Sequence, residues 1–278
     1  MKKKIEKITI GQREFDVMNH TYIMGILNVT PDSFSDGGKY KNRDAALFHA
    51  QEMIRDGADI IDLGGESTRP GHIRISDEEE IERTAPIMEA LKERFDVPVS
   101  IDTYKSKVAK ANIQAGADLI NDIWGLKYDP KMAKVIADAK LPCCLMHNRQ
   151  QADYGMFLKE MKEDLKERVR IAKDAGIKKK RIILDPGVGF AKSYEQNLEA
   201  IRCLSVLEKM GYPVLLGTSR KSVIGLALDL PCEERVEGTL VTTVFGVMQG
   251  AAFVRVHDVL QNKRAITMAE AILGRKDL

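Results

Sequence analysis

The sequence predicts a one-domain α/β protein, a (β/α)8 barrel (TIM barrel) over residues 1–278 with a short β-hairpin at its N-terminus. Three observations predict it. Eight short apolar runs recur along the chain, each closed by Gly, Pro or small polar residues. The runs are apolar through their middles rather than alternating, as strands buried on both faces are. Helical patterns lie between them. Alternating strands and helices imply a parallel sheet with right-handed crossovers. Eight repeats favour closure into a barrel over an open sheet. Barrels of this type run to about 250 residues, so the length agrees.

The elements follow in order. Lys7 to Met18 precedes the repeats and reads as a hairpin covering the bottom of the barrel. The eight strands are YIMGILNV from Tyr22, DIIDLGG from Asp59, VPVSIDT from Val97, LINDIWG from Leu119, LPCCLMH from Leu141, RIILDPG from Arg181, PVLLGTS from Pro213 and AAFVRVHD from Ala251. Ser76 and Glu79 have capping-box spacing, with Ile81, Ala85, Met88 and Leu91 at helical spacing behind them. Pro86 inside that pattern predicts a kink or a late helix start. Asp129-Pro130 reads as an N-cap followed by Pro at the first helical position. Leu158, Met161, Leu165, Val169 and Ala172 form a stripe that stops at Gly176, and Ser193 with Gln196 makes a second capping box.

Composition excludes several classes. Forty-three basic against 41 acidic residues leave a net charge of +2, which argues for neither a nucleic acid nor a membrane partner. No run approaches the roughly 20 apolar residues that span a bilayer. The basic N-terminus lacks the apolar segment of a signal peptide. Cys143, Cys144, Cys203 and Cys232 form no C-x-x-C pair, and the expected compartment is a reducing cytoplasm. GVGFAK from Gly187 lacks the third glycine of a dinucleotide fingerprint, and GTSRKS from Gly217 lacks the leading glycine of a P-loop.

Function in such a barrel is expected at the carboxyl ends of the strands. Those ends carry Asn28, Asp62, Asp102, Asn121, His147, Asp185, Ser219 with Lys221, and Arg255 with His257. Any one of them has a bland alternative. Asn28 suits a magnesium ion as a neutral oxygen ligand, or merely turns the chain. Asp102 and Asp185 can accept from the amino edge of a heterocycle, and Asn121 can donate and accept there. Asp102 could instead cap a helix from Tyr104, and Asp185 could serve the turn Asp185-Pro186-Gly187. Lys221 can donate to a ring carbonyl or nitrogen, or be solvated. Ser222 begins a predicted helix whose free N–H groups suit an anion. Arg255 and His257, two apart on the last strand, point to one side, where barrels often hold phosphate.

Several of these residues lie in longer motifs. MGILNVTPDSFSDGG from Met24, DLGGESTRPG from Asp62, SIDTYK from Ser100, INDIWG from Ile120, LMHNR from Leu145, LDPGVGFAK from Leu184, LLGTSRKS from Leu215 and VRVHDV from Val254 resemble the dihydropteroate synthase family, in the family's order. Small differences fall at Ala191, where glycine is expected, and Val223, where a bulkier side chain is.

The resemblance implies a TIM-barrel transferase of folate biosynthesis, the family that sulfonamides target. It would join 6-hydroxymethyl-7,8-dihydropterin diphosphate to 4-aminobenzoate and release pyrophosphate through a dissociative pterin-methylene cation. Asp102, Asn121, Asp185 and Lys221 would hold the pterin. Thr68, Arg255 and His257 would contact the diphosphate, with Mg2+ at Asn28, and Ser222 would meet the aminobenzoate carboxylate. Asp102, Lys221, Arg255 and His257 would act on the reaction. Thr30 to Lys39 and Ser67 to Ile75 would cover the site. The family also suggests a homodimer, for which TLVTTVFGVM from Thr239 is an interface candidate or else a core helix. Asp62 and His147 receive no role. The rivals are a pterin-dependent methyltransferase domain and a non-catalytic pterin-binding paralogue.

Overall fold

The computed structural model describes residues 4–30, 39–67 and 74–275, apart from the side chains of 39–42. The N-terminal hairpin pairs β1 (Lys7–Ile10) antiparallel with β2 (Arg13–Asp16). The eight apolar runs all form strands. They are β3 (Tyr22–Asn28), β4 (Ile60–Gly64), β5 (Val99–Asp102), β6 (Leu119–Asp122), β7 (Cys143–Met146), β8 (Ile182–Asp185), β9 (Leu215–Leu216) and β10 (Phe253–Val256). They pair in parallel in the order β8-β7-β6-β5-β4-β3-β10-β9. A parallel bridge from Leu184 to Val214, just before β9, joins the two ends. The sheet therefore closes as expected.

Helices fill the crossovers. They are α1 (Lys39–Arg55), α2 (Asp77–Arg94), α3 (Ser106–Gln114), α4 (Met132–Ala139), α5 (Phe157–Asp174), α6 (Tyr194–Arg202), α7 (Ser205–Glu208), α8 (Ser222–Leu228), α9 (Val236–Met248) and α10 (Val259–Ile272). The stripe on α5 buries Met161, Leu165, Val169 and Ala172 as its spacing predicts, and the helix is followed by Gly176 at φ +98°.

Two of the local signals hold and others need correction. Ser193 and Gln196 form a complete capping box on α6. Ser76 accepts from the Glu79 N–H and caps α2, which starts at Asp77 and runs through Pro86 without a late start. Asp129-Pro130 does not open a helix. The helix α4 starts only at Met132 with Lys131 at its cap; the Asp129 carboxylate caps the turn before it, accepting Lys131 N–H, and with its other oxygen accepts Ser106 N–H at the start of α3, both at 2.9 Å. Asp102 caps nothing, since α3 begins only at Ser106.

Strand parity sorts the core into two compartments. Val99, Ile101, Ile120, Cys143, Leu145, Ile182, Leu184, Leu216 and Val254 point outward to the helices. Met24, Ile60, Leu119, Cys144, Ile183, Leu215 and Phe253 point inward at the amino ends of their strands. There Ile8, Ile10, Phe15 and Val17 of the hairpin region pack onto them and plug the bottom. Burying such side chains contributes roughly 1.5–3 kcal/mol each.

Ala191 explains one departure from the family pattern. Its φ is +42°, in the left-handed region where a Cβ costs about 1–2 kcal/mol. Ala191→Gly is expected to stabilise the fold by about 1 kcal/mol, read as a higher urea midpoint at unchanged slope. A lower midpoint would show that the Ala191 methyl group makes contacts worth more than the backbone strain.

Candidate active site

The inward parity that is apolar at the bottom becomes polar one layer higher. Asn28, Asp62, Asp102, Asn121, Asp185 and Arg255 stand on the inward-facing positions of β3, β4, β5, β6, β8 and β10. The register sets Asp102 beside Asn121, Gly64 beside Asp102, and Asn28 beside Gly64. Four adjacent strands thus bring polar groups to one rim.

Arg255 is the centre of this layer. Its Nε donates to Asp62 Oδ2 at 2.6 Å and its Nη2 to Asp102 Oδ2 at 2.7 Å. Asn121 Nδ2 donates to the same Asp62 oxygen at 3.2 Å. Two buried carboxylates therefore share one guanidinium, and burial alone would be costly for each without it. The second oxygens, Asp62 Oδ1 and Asp102 Oδ1, are buried with no hydrogen-bond partner, as is Ser100 Oγ between them. Buried acceptors are normally satisfied, so this interior is chemically suited to a ligand rich in N–H donors. Burial pushes the Asp102 carboxyl up, to about 7, against the pull of Arg255.

A second pair closes the rim from β8 and β9. A Cβ on Gly217 would stand 3.9 Å from both Asp185 Oδ2 and Lys221 Nζ. Asp185 Oδ1 accepts from Gly187 N–H at 2.6 Å, so the turn role expected of it is real but uses only one oxygen. Lys221 Nζ donates to the Val188 carbonyl and lies 4.8 Å from the Phe190 ring centroid. Burial pulls the Lys221 ammonium down to about 8, opposed by the Asp185 charge. The loop that carries these contacts is shaped by glycine. A Cβ at Gly187 (φ +66°) would sit 1.9 Å from the His147 carbonyl oxygen, so only glycine fits.

The remaining expected residues lie farther out or elsewhere. His257 Nδ1 is 2.9 Å from Ser219 Oγ, which also accepts the His257 N–H at 3.2 Å. Asn28 Oδ1 approaches Gly64, 3.3 Å from where its Cβ would be. Ser222 is exposed at the first position of α8. Thr68 lies outside the described residues, as do most of the two covering segments. No cluster of three His, Cys, Asp or Glu side chains able to hold a metal occurs among the described residues.

Asp62 belongs to the constellation although the sequence left it without a role; inward parity on β4 is the signal that finds it. His147 does not belong. Met146 is the inward residue of β7, and His147, one position on, turns its ring toward α5, where Nε2 lies 3.0 Å from Asp164 Oδ2. Burial pushes its pKa down to about 4, which keeps it neutral. A surface cleft of about 260 Å³ beside α5, lined by Lys166, Arg170, Lys173 and Tyr212 among others, includes none of the rim residues.

Comparison with known proteins assigns the chain. Residues 24–257 match the family model described as pterin binding enzyme. The chain is 62% identical over 267 residues to a dihydropteroate synthase of Clostridium beijerinckii, which covers 96% of this chain and 99% of the relative. A solved dihydropteroate synthase from Clostridium difficile, in the presence of pteroic acid, superposes with a TM-score of 0.92 at 50% identity, covering 94% of this chain and 100% of that one. A Xanthomonas albilineans dihydropteroate synthase with 4-aminobenzoic acid gives a TM-score of 0.92 at 39% identity over 96% of this chain and 98% of that one. By its family model and its relatives alike, the chain belongs to the dihydropteroate synthase family, a family of transferases.

Proposed function

We propose that the chain condenses 6-hydroxymethyl-7,8-dihydropterin diphosphate with 4-aminobenzoate, and that the rim divides this work between two ends. The observation that carries the proposal is the Asp62–Arg255–Asp102 bridge with unpartnered acceptor oxygens facing the barrel interior. A pterin presents adjacent N–H donors, and an ionised carboxylate can take two in parallel. Asp185, Asn121, Asp102 and Lys221 form the pterin end. Arg255, His257 and Thr68 serve the diphosphate.

Asn28 supplies a single neutral oxygen. That donor set fits a magnesium ion that arrives on the diphosphate, since magnesium usually keeps waters and substrate phosphate in its shell. The ion would neutralise charge on the departing pyrophosphate. In the reaction the methylene C–O bond breaks and pyrophosphate leaves with the electron pair. Arg255 and His257 stabilise the charge gathering on its oxygens. The ionised Asp102 stabilises the electron-poor methylene left behind. The aminobenzoate nitrogen, whose carboxylate is met at Ser222, then forms the C–N bond and gives up a proton. No protein nucleophile is required.

The titration of the rim predicts a narrow pH optimum. Asp102 must be ionised, which its raised pKa permits only above about 7. Lys221 must be protonated, which its lowered pKa permits only below about 8. The kcat/KM for the pterin diphosphate therefore rises toward pH 7 and falls beyond pH 8, measured by initial rates of pyrophosphate release. A flat profile from pH 6 to 9 contradicts these assignments.

A homodimer through α9 is part of the same reading. The helix turns Thr239, Thr243 and Gly246 inward and leaves Val241 (66% exposed), Phe245 (42%) and Met248 (64%) outward, an apolar face at helical spacing. Phe245→Glu with Met248→Glu is expected to halve the mass seen by light scattering; a wild-type monomer at micromolar concentration removes the proposal. No helix among the described residues is long and apolar enough to cross a membrane. Free Cys143 and Cys144, both buried, accord with a reducing cytoplasm.

A further inference from the structure

The loop from β8 to α6 is held peptide by peptide from behind the rim. Lys192 Nζ donates to the Gly187 carbonyl at 2.8 Å and to the Phe190 carbonyl at 3.0 Å. Tyr154 Oη donates to the Ala191 carbonyl, also at 3.0 Å. Between these fixed points stands the peptide that joins Val188 to Gly189. Its carbonyl accepts from Lys221 Nζ. Its N–H donates to Asn197 Oδ1 at 2.6 Å.

A trans peptide is a rigid plane whose carbonyl and N–H point in opposite directions. Asn197, on α6, therefore sets the direction of the Val188 carbonyl by holding the opposite edge of the plane. Asn197 is itself fixed. It is buried, and its Nδ2 donates to the Ser193 carbonyl at 2.8 Å, so the amide is anchored at the cap of α6 with its oxygen toward the loop. Gly189 lets the Lys221 stem lie against the same peptide, since a Cβ there would stand 3.1 Å from Lys221 Cδ. A lysine stem is long and flexible, and holding it before a ligand arrives lowers the entropic cost of binding. An ammonium has three N–H donors, so the bond to Val188 leaves others for a ligand.

We propose that Asn197 is a positioning residue for the family's reaction: through the Val188–Gly189 peptide it aims Lys221 at the heterocycle. This rests on the reading of the rim given above, in which Lys221 belongs to the pterin end. Asn197 acts from behind the loop and on Lys221 alone. Its loss therefore weakens the hold on the pterin ring and leaves Arg255 and His257, at the end of β10, in place.

The test compares two ligands by calorimetry on the full chain, 6-hydroxymethyl-7,8-dihydropterin and inorganic pyrophosphate with magnesium. Asn197→Leu removes the acceptor and frees the peptide to turn. It is expected to raise the pterin Kd about tenfold and to change the pyrophosphate Kd less than twofold. Asn197→Asp keeps an acceptor for Gly189 and gives up the amide donor to Ser193, so it should restore most of the pterin affinity. In a Lys221→Met background, Asn197→Leu should change the pterin Kd less than twofold, because the two residues act as one unit. Should Asn197→Leu fail to fold, Asn197→Ser carries the same expectation: its hydroxyl can still bond the Ser193 carbonyl one turn back but is too short for Gly189. The proposal is overturned by an unchanged pterin Kd in a folded variant, by an equal loss for pyrophosphate, by an Asn197→Asp variant as weak as Asn197→Leu, or by a full loss that persists without Lys221. The reaction assignment survives each of these. A wild-type chain that binds neither ligand overturns both.

Discussion

Replacing Arg255 with methionine is expected to cost about 3–5 kcal/mol of folding stability and to lower turnover by at least about a hundredfold. The two effects have one origin. Arg255 is the sole cation hydrogen-bonded to the inward carboxylates of Asp62 and Asp102 among the described residues. Without it both are left in the barrel, where burial already pushes Asp102 up. They must either stay charged at a high desolvation cost or bind protons. Protonation would place a donor where the pterin end needs an acceptor, so pterin affinity should fall together with turnover. Urea unfolding and steady-state rates measure the two losses. Pairing Arg255→Met with Asp62→Asn removes one stranded charge, and should recover stability but not turnover. If the single variant kept its urea midpoint, the bridge would not be a structural element of the rim.

Asp185→Asn is expected to weaken pterin binding by about 1–3 kcal/mol, the usual value of a charge-assisted hydrogen bond. The substitution is chosen because Asp185 has two tasks. Its Oδ1 accepts from Gly187 N–H and shapes the loop that carries Val188, the carbonyl partner of Lys221. An amide keeps that acceptor and turns the other oxygen into a donor. The loop should survive while the contact to pterin N–H groups is lost. Calorimetry with the diphosphate-free pterin isolates the effect, and an unchanged dissociation constant would remove Asp185 from the pterin end. Asp185→Ala would confuse the two tasks, since it also frees Gly187.

Much of this was legible in the sequence because strands and chemistry obey short rules. Eight apolar runs with polar ends place a rim at one end of a barrel, and all eight form strands. The period-2 rule then goes further than the strand ends alone. Asp62 and His147 both end apolar runs, yet only Asp62 shares the inward parity of Ile60 and meets Arg255. His147 falls on the opposite parity and packs toward α5. Parity counted from the bottom layer would have separated them.

Other features depend on partners distant in sequence. Asp129 resembles a helix cap locally but accepts from Ser106, 23 residues away. The apolar run of α9 could not be assigned to core or surface. Its inward face is held by polar contacts, such as Thr243 Oγ1 to Asn262 Oδ1 of α10 at 2.7 Å, and hydropathy does not register those. A buried ion cluster in which Lys105 Nζ lies 2.6 Å from Glu66 Oε2 and 2.7 Å from Glu80 Oε2 was invisible for the same reason, as its members are 14 to 39 residues apart. Ala191 shows the opposite case: a difference from the family pattern, noticed in sequence, coincides with a left-handed backbone position.

The measurement that bears most directly on the proposed reaction is pyrophosphate release by the purified chain under four conditions: each substrate alone, both together, and neither. Release that needs both the dihydropterin diphosphate and 4-aminobenzoate, with dihydropteroate formed in equal amount, is the predicted result. Release from the diphosphate alone at the same rate, or tight pterin binding with no release at all, would contradict it.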